Sequence, residues 1–175
     1  MRQIFFTAIL LMLNILFAAC DKIHEKCVPE GNVNFYLIAS FDTIENSCQI
    51  DESTVITADT PIIEYADLLS YTPREYVFKI TDKAKEIVAN LPHSVFGLGF
   101  AVKANNTLIY TGYFWPSYSS LACSWVVADP LWTSMNNSLK IELGYPGLME
   151  GVTIPDKRND NRILDIFRRD DKLIE

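Results

Sequence analysis

The sequence predicts an α+β domain built on an antiparallel sheet. Three observations carry that prediction: a hairpin pattern from Val95 to Phe114, a helical period from Asp82 to Leu91, and strands and helices that follow one another without regular βαβ alternation. In chain order, Val33 to Ala39 is a compact apolar strand. Asp42 to Glu52 is polar, with Cys48 and Ile50 embedded in it, and Thr60 to Leu69 reads as a strand or a short helix. Tyr71-Thr72-Pro73-Arg74 is a turn signal, after which Glu75 to Ile80 alternates as a strand does, with Tyr76, Phe78 and Ile80 on one face. Then the period changes. Ala84, Ile87, Val88 and Leu91 fall at helical spacing, with Thr81 or Asp82 as N-cap and Pro92 beyond the end, so one central helix is expected over about 82–91.

The hairpin pairs Val95–Val102 with Thr107–Phe114 around Lys103-Ala104-Asn105-Asn106, whose asparagines tolerate turn geometry. Its first arm places Phe96, Leu98, Phe100 and Val102 on one side and Gly97, Gly99 and Ala101 on the other. A face so bare calls for a close neighbour, another backbone, a helix or a large aromatic ring, and the central helix is expected to lie over one face of this sheet. Ser124 to Ala128 and Leu139 to Leu143 supply two more strands, and Tyr145-Pro146-Gly147 a turn. Past Pro155, Ile163, Leu164, Ile166 and Phe167 sit at helical spacing among charges, which predicts a C-terminal amphipathic helix.

Ahead of this domain, Arg2 precedes an apolar run from Ile4 to Ala19 that is interrupted by Asn14 and ends in Ala18-Ala19 before Cys20. The run is short of the ~20 residues that span a bilayer, so residues 1–19 are expected to be a cleaved export signal. Leu16-Phe17-Ala18-Ala19-Cys20 resembles the lipobox of bacterial lipoproteins, although Phe17 is bulkier than the usual residue there. The resemblance implies that Cys20 is acylated with palmitate-class chains and becomes the new N-terminus. Each buried methylene of such chains contributes ~0.8 kcal/mol. Residues 20–32 would then form a lipid-anchored tether and 33–175 a single domain in the cell envelope, facing the periplasm or the cell exterior. Asp21 resembles the retention signal of enteric lipoproteins, a rule that other two-membrane lineages do not follow, so the leaflet stays open.

The chain has 175 residues and a net charge of −7, and loss of residues 1–19 removes Arg2 and no acid. A charge of that sign argues against nucleic acid and against an anionic lipid surface as partners. With Cys20 acylated, Cys27, Cys48 and Cys123 remain in an oxidising compartment, where one must be left over. Cys27 lies in the polar tether, so Cys48 is paired with Cys123; the alternative leaves all three thiols free. No CxxC or HxxxH spacing is present and His24 is far from His93, so neither a metal nor a cofactor is expected. Asp156 to Arg162 has the oxygen donors of a calcium loop but not its glycine or terminal glutamate, and helix entry explains it better.

Trp115, Trp125 and Trp132 cluster with Tyr110, Tyr113, Phe114 and Tyr118. Trp115, Tyr118 and Tyr113 are the candidate binding residues, with Trp115 and Tyr118 expected to be exposed on the loop that leaves the hairpin, where a glycan or an envelope protein would dock. The competing reading places these aromatics in the core. A hydrolase using Cys123 or Ser120 with His93 as base is a second role, although no GxSxG or SxxK pattern positions the nucleophile. A purely structural envelope component is the third. The order helix, glycine-containing strand, turn, strand, aromatic loop, strand over Thr81–Ala128 loosely resembles small α+β heads of exported bacterial proteins. Ile109 to Ser120 and Asp156 to Glu175 also resemble a group of uncharacterised lipoproteins, which implies the location and no particular activity.

Overall fold

A computed structural model describes residues 31–175. The expected signal, Cys20 and Cys27 lie outside the described residues. The fold is of the α+β class, with nine strands in two sheets and three α-helices among the described residues. Strands β1 (Val33–Ser40), β2 (Ile56–Thr57), β5 (Leu98–Ala104), β6 (Thr107–Phe114), β7 (Cys123–Ala128) and β9 (Glu142–Tyr145) form the large sheet in the order β2-β1-β5-β6-β7-β9. Strands β3 (Leu68–Thr72), β4 (Val77–Ile80) and β8 (Ser138–Lys140) form the small one in the order β3-β4-β8. The sheet is not wholly antiparallel, because β6 and β7 run parallel through Tyr113–Val127 and Phe114–Ala128. Eight residues separate Phe114 from Cys123, and thirteen separate it from its partner Ala128, so the connection carries the chain back to the starting edge before it pairs.

To the central and C-terminal helices expected, α1 (Asp82–Ala89) and α3 (Asn161–Arg169), the structure adds α2 (Pro130–Asn136) between them. Thr81 caps α1, its hydroxyl accepting from the Ala84 N–H at 3.2 Å, and the helix buries Ala84 and Val88. Its nearest neighbouring element is α2, so it is one of a pair and not a lone central helix. The α2 helix starts at Asp129, whose carboxylate accepts from the Leu131 N–H, with Pro130 in the first turn where its missing N–H costs nothing. The expected strand 139–143 is split at Ile141, which passes the chain from β8 in the small sheet to β9 in the large one and is wholly buried.

The hairpin turn is tighter than four residues. Asn105 and Asn106 alone form it, with φ of 52° and 63°, the left-handed pair that matches strand twist. The Asn105 N–H donates to the Asn32 carbonyl at 3.1 Å and its side chain lies against Gly31, so the hairpin tip adjoins the start of β1. At the other end, residues 95–97 leave the ladder as a turn. Gly97 adopts φ +76° and Phe96 is 70% exposed, whereas Phe100 and Val102 go to the core as alternation predicts.

Buried residues from Val33 to Phe167 form one continuous cluster between the sheets. Phe78 of the small sheet stacks on Tyr71 at 4.1 Å and meets Phe35 of the large sheet edge-on at 5.4 Å, which joins the two layers. Helix α3 closes the layer with Ile163, Ile166 and Phe167, whose ring contacts Tyr65, Tyr71 and Phe78. Asp160 caps α3 through the Arg162 N–H, as the helix-entry reading of that acidic stretch expects. Beyond α3, the Tyr71 N–H donates to the Lys172 carbonyl and the Ile174 N–H to the Tyr71 carbonyl, so the last residues pair with the outer edge of β3. Among the described residues no helix is long and apolar enough to cross a membrane.

Candidate functional site

Two concave regions bring chemistry-bearing side chains together. The first is an apolar pocket of about 590 Å³ at the end of the large sheet remote from the hairpin tip. Its floor follows from the bare strand face: a Cβ on Gly97 would meet the Trp115 indole at 2.6 Å, and one on Gly99 would meet Phe41 and Ile38 at 3.2–3.4 Å. The close neighbours required by that bare face are therefore Trp115, Phe41 and Ile38. Trp115, expected on the surface, is only 4% exposed, because the glycine opposite leaves room for its ring and Tyr113 meets it edge-on at 6.0 Å. Tyr113 is buried too, while Tyr118 is 55% exposed. Both Trp115 and Tyr113 line this pocket, with Phe96 and Leu121 at its exposed margin.

Cys48 also lines the pocket, and behind it the Cys123 Sγ donates to the Cys48 Sγ at 2.7 Å. The cysteines chosen by elimination are thus brought together, one on a turn and one on a strand. The hydrogen bond from Cys123 lowers the Cys48 thiol to about 7, against the upward push of partial burial. Cys123 moves the opposite way, raised by its partner and by burial. His93 is not part of this arrangement: its Nε2 lies 3.2 Å from the Ala89 carbonyl at the end of α1. Among the described residues no hydrogen bond joins His93 to Cys123 or Ser120, and the neighbouring Ser119 hydroxyl donates to the Val95 carbonyl at 2.7 Å. The base that a hydrolase of this set requires is engaged elsewhere.

The second region is a cleft of about 930 Å³ where the small sheet meets β9. Tyr76, Trp132 and Tyr145, all half-buried, present ring surface to it, and Arg74, Lys79, Lys140 and Arg158 line it as well. Tyr76 has φ +57°, a genuine outlier for an aromatic residue and of the kind that costs ~1–3 kcal/mol. Two contacts hold it there. Its carbonyl accepts from the Ile141 N–H at 2.9 Å, and its ring lies 3.4 Å from the Arg158 guanidinium carbon. Arg158 is itself buried, pairing both Asp156 oxygens and donating to the Ile141 carbonyl at 2.9 Å. That pairing holds the Asp156 carboxyl below its ordinary range. Lys140 pairs Glu142 at 2.7 Å, whereas Arg74 and Lys79 make no ion pair among the described residues.

Sequence reasoning included Trp132 in its aromatic cluster and named no other cleft residue as a binding site. The cleft residues come from the 72–79 turn and strand, α2, β8–β9 and Arg158, and no local pattern links those segments. Among the described residues no group of three or more His, Cys, Asp or Glu side chains is placed to hold a metal ion. No protein-family model, curated protein or solved structure matches the chain, so the functional reading rests on the geometry of these two regions.

Proposed function

We propose that the protein is an exported lipoprotein, anchored through acylated Cys20 in the cell envelope, whose domain works as a binding module and takes a glycan in the cleft between the small sheet and β9. The observation that carries the ligand class is the set of three half-buried aromatic rings, Tyr76, Trp132 and Tyr145, beside Arg74 and Lys79, which make no ion pair among the described residues. Aromatic faces stack on the apolar faces of sugar rings, and cationic donors take hydroxyl or carboxylate oxygens at their edges. The strained Tyr76 and the buried Arg158 behind it fix one ring before a ligand arrives, which lowers the entropy lost on binding. A cleft that is merely a gap between two sheets would need neither.

Soluble peptidoglycan fragments titrated into the detergent-solubilised full-length chain should bind, and Trp132→Ala should weaken them by ~1–3 kcal/mol, about 5- to 150-fold, with little change in thermal unfolding. Equal binding by the variant, or none by the wild type, rejects the cleft as a glycan site. The anchor is tested separately by metabolic labelling with an alkyne fatty acid. Label on the wild type and its loss in Cys20→Ala is the expected result; an unlabelled wild type disposes of the lipoprotein reading.

A further inference from the structure

Cys48 and Cys123 occupy unequal positions. Cys123 opens β7, an inner strand of the large sheet, and is 1% exposed. Cys48 follows the turn closed by the Ser47 N–H on the Ile44 carbonyl, and it is half-buried in the wall of the apolar pocket. The excursion that carries Cys48 is pinned at its stem. The Asp51 N–H donates to the Asp42 carbonyl at 2.9 Å, Thr43 bridges Ile50, and Glu52 accepts from the Thr111 N–H while pairing Lys157. Between these ties only the short turn intervenes, so one sulfur sits on a turn and the other on a fixed strand.

Stepwise thiol–disulfide exchange needs a reachable attacking thiolate and a second thiol, shielded from outside reagents, that can reach the first. Both are present here, 2.7 Å apart. We propose that Cys48 and Cys123 form a dithiol–disulfide exchange centre, in which Cys48 attacks disulfides of extracytoplasmic polypeptides and the adjoining apolar pocket receives the residues that flank them. The occupant is specified by the pocket's own wall. A reactive sulfur set among Phe41, Phe96, Trp115 and Leu121 meets a disulfide that arrives with apolar neighbours, and meets a small hydrophilic disulfide less well.

The Cys48 thiolate forms a bond to one sulfur of the substrate disulfide, and the other sulfur leaves as a thiolate that takes up a proton. Cys123 then gives up its proton and attacks the Cys48 Sγ, which forms the Cys48–Cys123 bond and expels the second substrate sulfur, protonated in turn. Two electrons and two protons have passed from the protein dithiol to the substrate disulfide, which leaves as a dithiol. The lowered Cys48 thiol supports the order of attack, since a fraction of it is thiolate near neutrality.

The test uses the reduced full-length chain in detergent, freed of reductant, exposed to oxidised glutathione, quenched with acid and mapped by mass spectrometry. Glutathione should appear first on Cys48 and give way to a Cys48–Cys123 disulfide, and in Cys123→Ala the Cys48 adduct should last at least ten times longer. A peptide disulfide flanked by Leu and Phe should react at least ten times faster than glutathione, a preference that Phe96→Ser should reduce. Millimolar reduced glutathione should reopen the bond. First attack at Cys123, a Cys48 no more reactive than the thiol of an unstructured peptide, or a bond that glutathione leaves closed would each overturn the proposal, the last by marking a structural bridge. If Cys123→Ala fails to fold, the order of adducts and the reopening in the wild type still decide.

Discussion

Trp115→Ala lowers the free energy of unfolding by ~3–5 kcal/mol, the range for deleting a large buried aromatic side chain. The ring is 4% exposed, lies over Gly97 where a Cβ would meet it at 2.6 Å, and packs edge-on against Tyr113. Little can collapse into the space it vacates. Gly97 has no side chain to offer and sits at φ +76°, so the turn that displays Phe96 loses the ring packed against it. Urea unfolding of the variant against wild type measures the difference. A loss below ~1 kcal/mol would mean that the indole is peripheral and would return it to the exposed loop on which the sequence places it.

Arg158→Met should cost about 3 kcal/mol, the lower end of what is lost when one member of a buried ion pair is removed. Three groups lose the guanidinium together: the Asp156 carboxylate, which keeps the residue-158 backbone N–H on Oδ1, the Ile141 carbonyl at the crossing between the sheets, and the face of Tyr76. The lower end applies because the Asp156 side chain is 39% exposed and water can replace part of what it loses. The variant should also free Tyr76 to leave its positive φ, so glycan affinity should fall along with stability. Unfolding and titration on the same preparation read both. An unchanged affinity would detach the Arg158–Tyr76 stack from the cleft's function.

Much of the fold was legible because short-range rules carry it. Thr81 and the spacing of Ala84 and Val88 mark α1, and Asn105-Asn106 marks the hairpin. Helix α2 carried a signal that periodicity does not register. Its seven residues bury only Pro130 and Thr133, yet Asp129-Pro130 is a cap followed by a first-turn proline. Strand β2 has two residues and no pattern to read. The parallel pairing of β6 with β7 depends on how a loop returns, which neither strand records. At the sites the division is similar. The bare face of Gly97 and Gly99 announced a close neighbour, but which aromatic fills it depends on the register of Leu98 against Phe114. The cleft is made by four segments that meet only after both sheets form, and nothing in an aromatic residue foretells a left-handed backbone at Tyr76.

The contact between Asn32 and the hairpin tip places that tip beside the point where the chain enters the domain. For a chain held at Cys20, residues 21–30 reach at most about 35 Å when fully extended, and they deliver the start of β1 together with Asn105-Asn106 to the side nearest the lipid. From there β1 travels eight residues outward, roughly 26 Å. If the proposed anchor holds, the Cys48 pocket, which receives Ile38 and Phe41 from the outgoing end of that strand, would be on the pole away from the bilayer. In that proposed arrangement headgroups would meet two asparagines, and macromolecules of the surrounding envelope would meet the thiol.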